Sequence, residues 1–188
     1  MTAGPERTQM NADGFWDLIE RSAVAGPYVW QRGDWLEERM HELSDIELHH
    51  FQDLADHYRG LADDERVYHA AVILGGGACG DSGFDGFRGW LVSLGRERFG
   101  WVLEDPDRLA DLPEIARLAG RDPRHWDEDE PHWEEIEYLG LQEMEDRPGE
   151  CGHDGSEPEY PDDIPQRHRD YGQLPRLTAM FAYLQARP

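Results

Sequence analysis

Between residues 70 and 94 the chain reads AAVILGGGACGDSGFDGFRGWLVSL. An almost wholly apolar run enters a glycine-rich turn carrying Cys79, Asp81 and Ser82. The turn then opens a helical pattern with Phe84, Phe87, Arg88 and Trp90 near its start. Periodicity alone does not separate a buried helix from a central strand over VYHAAVIL. No second strand-like run exists to pair with it, and an isolated strand would leave its backbone polar groups unsatisfied. The run therefore reads as a helix from Glu65 to Leu74, started by Asp63 and Asp64. The fold reads as all-α: a compact multi-helix single domain with this apolar helix at its centre, packed by the helices of Phe15 and Phe84.

Working outward, residues 1–12 read as a flexible lead. Asp13 is placed to cap a helix to about Ala25, with Phe15, Leu18, Ile19 and Ala23 on one face, and Gly26-Pro27 ends it. A second pattern runs from Trp35 to Leu43. Ser44 and Glu47 then have capping-box spacing, and Phe51, Leu54, Ala55 and Tyr58 follow at i, i+3, i+4, i+7. Downstream, Arg96 to Leu103 reads as a short helix broken by Asp105-Pro-Asp107, and Leu109 to Ala119 as another. From Arg121 to Asp163 there are seventeen acids against three arginines. Within that stretch Trp133, Ile136 and Leu139 keep a helical pattern over His132 to Met144. Residues 147–165 show no periodicity and read as a mobile acidic loop. Pro175 is suited to launch a last helix, Arg176 to Gln185. Residues 13–188 thus read as one helical domain.

The chain has 188 residues, enough for one domain that buries roughly 70% of its unfolded surface. Its hydrophobic content is 38% and its aromatic content 11%, so a few large side chains supply much of the core. The formal charge is -23, and all 18 bases are arginine. The lack of lysine removes Schiff-base and phosphate-cradling lysines from consideration. Such a charge argues against nucleic acid or an anionic membrane as a partner and suits a basic protein partner, with solubility as the plain alternative. Cys79 and Cys151 form no disulfide framework or zinc pair. The first residues lack the apolar core of a signal peptide, and no run approaches the ~20 apolar residues of a membrane span, so a cytoplasmic protein is expected.

Several motifs fall short of a known chemistry. Gly75 to Ser82 fits a phosphate-binding loop except that Asp81 stands where the lysine belongs, and a carboxylate repels phosphate. Gly80-Asp81-Ser82-Gly83 matches the surroundings of a serine-protease nucleophile, but that machinery needs two β-barrels. His50 and His57 lie seven apart, without metal-site spacing, and the acids 127–130 lack a calcium loop's glycine. No metal or other cofactor is expected. His41, His49, His50 and His57 read as a solvated polar face, and His69 as a satisfied core histidine.

What remains is a pocket at the glycine turn. In one reading Arg88 merely staples the turn by pairing with Asp81 or another acid. In the other its guanidinium receives an anionic group in a pocket walled by Trp16, Tyr68 and Trp90. There His69 or Asp81 would handle protons, and Cys79 or Ser82 would be nucleophiles. Two functions follow from the residues: a non-enzymatic binding or interaction module, which is preferred, and a small-molecule site at the Gly75–Arg88 turn. Whether the chain is an enzyme stays open.

Four segments together resemble a bacterial family known as domain of unknown function 4240. They are Phe15-Trp-Asp-Leu-Ile19, the apolar helix into Gly75-Gly-Gly77, Gly80-Asp-Ser-Gly-Phe-Asp-Gly-Phe-Arg-Gly-Trp-Leu91, and Asp105-Pro-Asp-Arg-Leu-Ala-Asp-Leu-Pro113. The resemblance spans about residues 14 to 143. It implies a mainly helical fold and brings no activity, substrate or cofactor.

Overall fold

Side chains that accept backbone N–H groups mark where helices begin. The computed structural model describes residues 10–147, 155–160 and 173–185. Asn11, not Asp13, caps α1 (Ala12–Ser22) by accepting from Gly14 N at 2.9 Å. Ser44 and Glu47 form the expected capping box of α3 (Asp45–Leu61), and Asp64 caps α4 (Glu65–Leu74). Between α1 and α3 lies α2 (Val29–Met40). It begins six residues before the expected Trp35, where the Gln31 side chain accepts from Tyr28 N. After the glycine turn come α5 (Asp81–Ser93) and α6 (Arg96–Glu104).

The helix expected over 109–119 is instead a 3₁₀ turn, Pro106–Asp111, followed by the four-residue α7 (Pro113–Ala116). Pro113 explains the break: its ring drives Leu112 into extended backbone (φ -76°, ψ 127°) and it brings no N–H to continue a helix. The pattern over 132–144 likewise resolves into a 3₁₀ turn, Glu135–Glu137, and α8 (Leu139–Asp146). The last helix, α9, runs Pro175–Gln185. There is no strand among the described residues, so the all-α expectation holds. No helix among them is long and apolar enough to cross a membrane.

The apolar run is the helix α4, with Val67, Ala70, Ala71, Ile73 and Leu74 buried. It packs on α5, as expected, and on α9 and the Pro106–Asp111 turn, while the Phe15 helix packs against α2, α3 and α5. His69 is exposed on the outer face of α4 rather than held in the core. Across the interior, α3 meets α1, α5, α8 and the Glu135–Glu137 turn. An aromatic cluster joins α1, α3 and α6: Trp16 lies 4.5 Å from the Tyr58 ring and 5.5 Å from Phe99, and Phe15 stacks on Tyr58 at 5.3 Å. Beyond burial, such pairs contribute about 0.5–1.5 kcal/mol each.

One face of α5 carries glycine at positions 83, 86 and 89, one per turn. The segment 131–136 lies directly on this face. Trp133 N donates to Gly86 O at 2.8 Å, and the Trp133 ring is fully buried. A Cβ at Gly89 would stand 2.0 Å from the Trp133 carbonyl oxygen, and one at Gly86 would stand 2.1 Å from the His132 ring. This long-range bond also explains why the helical pattern after His132 starts late: the backbone of Trp133 is committed to α5.

Residues 1–9 of the expected lead lie outside the described residues, whereas Met10 and Ala12 are buried. Most of the expected acidic loop also lies outside them. Of its described part, Arg147 pairs with Asp45 at 2.8 Å and Glu143 at 3.0 Å, and Ser156 meets His50. Near the C-terminus the start of α9 is met by a side chain from elsewhere in the fold. Asp107, buried in the 3₁₀ turn, accepts from Arg176 N at 3.0 Å and Leu177 N at 2.9 Å.

Three outcomes test this packing, each read by urea unfolding and the third also by hydrogen exchange. Gly89→Ala should lose about 1–3 kcal/mol, because a backbone carbonyl cannot step aside. Gly100→Ala in α6, where a Cβ meets nothing within 4 Å, should gain about 0.5–1 kcal/mol from helix propensity. Asp107→Ala should cost about 1–2 kcal/mol through the lost remote cap and should release α9 first, read by hydrogen exchange at its amides.

Candidate functional site

The glycine turn is built as the apolar run implies. Gly76 and Gly77 take positive φ (75° and 108°), which side-chain-bearing residues resist, and Gly77 N returns to Val72 O at 2.8 Å to close the end of α4. Tyr68 reaches across from α4 and its hydroxyl donates to the Cys79 carbonyl at 3.1 Å. Its ring meets Phe84 edge-on at 5.1 Å. The turn is thus tied to both helices that it joins.

Beside it opens a cleft of about 200 Å³ between the end of α4, the start of α5 and residues 126–132. Cys79, Phe87, Trp126, Glu130 and His132 are among its walls. The Cys79 sulfur packs against Gly83, and the His132 ring against Gly86, one helical turn further along α5. The glycines therefore do double duty, letting a thiol and an imidazole lie close to the helix backbone. Burial pushes the Cys79 thiol up from its ordinary value, which disfavours the thiolate. His132 Nε2 stands 3.8 Å from a Glu134 carboxylate oxygen.

Of the residues picked out from the sequence, Tyr68 and Cys79 meet at the turn, and Asp81 and Ser82 are exposed at the start of α5. The others part company. Arg88 pairs with Asp85 rather than Asp81, donates to Arg59 O at 3.3 Å, and lies over the Phe84 ring. It staples α5 to α3 instead of facing the cleft. Trp90 stacks on Phe87 at 5.7 Å in the core, and Trp16 is buried in the aromatic cluster between α1, α3 and α6. His69 faces outward and does not line the cleft. Trp126, Glu130 and His132 were not legible as a wall, because they sit in a run of acids that reads as a solvated patch. The only available signal was Pro131-His132-Trp133 interrupting that run, matched by glycines spaced three apart on α5.

A second surface gathers charge. Arg59, in α3 and buried, pairs with Asp56 at 3.2 Å and with Glu137 at 3.2 Å. Burial raises the Asp56 carboxyl, opposed by Arg59 and by a hydrogen bond from Gln52, with Glu137 and Asp53 adding to the rise. The Tyr138 hydroxyl is pushed up by desolvation and then by Glu134, Glu135 and Glu137. Tyr160, ring-to-ring with His57 at 4.6 Å, is pushed up by desolvation and then by Asp53, Glu157 and Asp56. His57 itself is lowered by burial. Both tyrosines stay exposed. No group of His, Cys, Asp and Glu suited to hold a metal ion occurs among the described residues.

The segments that carry the resemblance are those that build α1, the glycine turn, α5 and the Pro106–Asp111 turn. No curated protein and no solved structure matches the chain. The family model described as protein of unknown function (DUF4240) matches residues 10–146, nearly the whole described bundle apart from α9. The chain belongs to that family.

Proposed function

We propose that the protein is a binding module that recognises a basic segment of a partner protein through its acidic, tyrosine-bearing face. The observation that carries this reading is the pair of exposed rings, Tyr138 and Tyr160, set among Asp53, Asp56, Glu134, Glu135, Glu137 and Glu157. Arg59 offsets only part of that charge. Clustered carboxylates draw a cationic partner and speed its encounter, and aromatic rings give it contact area and a cation–π surface. The net charge of -23 adds long-range attraction of the same sign.

The test is titration with a labelled arginine- and lysine-rich peptide at about 50 mM salt, where such attraction is weakly screened. Combined Glu134→Gln, Glu135→Gln and Tyr138→Ala substitutions should weaken binding about tenfold, close to 1.4 kcal/mol. Removing two charges from the exposed part of α2, by Glu37→Gln and Glu38→Gln, should change it little. Equal losses from the two sets, or no binding at low salt, would refute the face as a recognition surface.

A second reading, a small molecule in the glycine-turn cleft, is favoured by the opening of that cleft onto Cys79, Glu130 and His132. It works by shape and hydrogen bonding and not by thiolate attack, because burial disfavours the Cys79 thiolate. In a Cys151→Ser chain, thiol labelling at pH 7 should run slower than for free cysteine and accelerate only at alkaline pH. Rapid labelling at neutral pH would restore Cys79 as a nucleophile.

A further inference from the structure

The two arginines buried among the described residues are treated very differently. Arg59 is held by two carboxylates, whereas Arg32, 8% exposed, has none within ion-pair distance among the described residues. Its Nε donates to Ser22 Oγ at 2.9 Å, Nη1 to the Ser93 carbonyl at 2.6 Å and Nη2 to the Ile19 carbonyl at 2.7 Å. All three acceptors are neutral. A guanidinium has five N–H groups, so these bonds leave two. Burying a cation without a counter-charge is costly, and proteins normally avoid it. Burial, then repulsion from Arg98, lowers the Arg32 guanidinium to about 10, against attraction from Glu114, and it stays charged at neutral pH.

Arg32 lines a cleft of about 460 Å³ where the end of α1, the start of α6 and α7 come together. Arg98 and Arg117 line it too, with Glu20 and Glu114 as the facing acids. Both acids are already engaged: Glu114 pairs with Arg98 at 2.7 Å, and Glu20 accepts from Arg96 N at 3.1 Å at the start of α6. Three arginines against two acids leave one positive charge, in a chain whose total is -23. The volume is of the size that holds a small molecule.

We infer that this cleft binds a small organic monocarboxylate, whose anionic group takes the place of the counter-ion missing from Arg32. A single negative charge restores local neutrality, and a planar carboxylate matches the donor geometry of guanidinium groups. Arg98 and Arg117 stand at the cleft as the further cations for that group, and Ala23 and Leu94 offer apolar contact to the remainder. The surrounding acids repel polyanions, which sets the preference for one charge over several.

The test is thermal unfolding of the full chain with sodium acetate, lactate and benzoate, against sodium chloride at equal ionic strength and against inorganic phosphate. A monocarboxylate should raise Tm by about 5–10 °C at a hundredfold excess over its Kd. Arg98→Gln with Arg117→Gln, both on exposed or half-exposed positions, should weaken its affinity at least tenfold by calorimetry while the unliganded chain still folds. Arg32→Lys keeps the charge but not the fork and should weaken it as well. Stabilisation by phosphate alone would overturn the carboxylate assignment. Stabilisation equal in chloride, undiminished in the double variant, or absent with every carboxylate would overturn the site.

Discussion

The seating of Trp133 on α5 is the contact on which the bundle's second half depends. A hydrogen bond from Trp133 N to Gly86 O fixes the register, and the missing Cβ atoms at Gly86 and Gly89 let a backbone lie where a side chain would stand. From that point the chain is led past Ile136, also fully buried, into α8, which packs along α3 and α2. The same seating puts His132 beside the glycine turn and brings the Trp133 indole to 5.9 Å from the Arg32 guanidinium. Core, cleft and cation are thus linked through one tryptophan.

Much of the architecture was legible because helices announce themselves locally. The capping box at Ser44, the apolar spacing of Phe51 to Tyr58 and the lack of any strand partner for VYHAAVIL all concern neighbours within a few residues. Boundaries failed where a single backbone constraint overruled the pattern. Pro113 cut the 109–119 helix, and the Trp133–Gly86 bond delayed the one after His132. The glycines of α5 were visible, but in a sequence glycine advertises conformational freedom and not a contact surface. Only the partner segment, more than forty residues on, reveals which role applies.

The site was less legible for the same reason. Tyr68 and Cys79 are eleven apart on adjoining elements and do meet. Arg88 has Asp81 and Asp85 both within reach in sequence, and helix geometry chooses the residue three positions away. Trp16 and Trp90 were as suited to a core as to a pocket wall, and hydrophobic burial claimed them. The Arg32 cleft draws on α1, α2, α6 and α7, with acceptors at Ile19 and Ser93, so no local pattern foreshadows it. Its sign is also opposite to what bulk composition suggests. An average charge describes the approach of a partner, whereas a recess is governed by the few groups that line it.

The remote capping of α9 by Asp107 bears on the recess at the glycine turn. The matched stretch ends at residue 146, yet α9 lays Phe181 edge-on against Trp126 at 6.2 Å and Leu184 near Gly76. A rod latched by one carboxylate of the bundle therefore backs Trp126, one wall of the recess at the glycine bend. The firmness of that wall thus rests on a carboxylate, Asp107, that lies outside the recess itself.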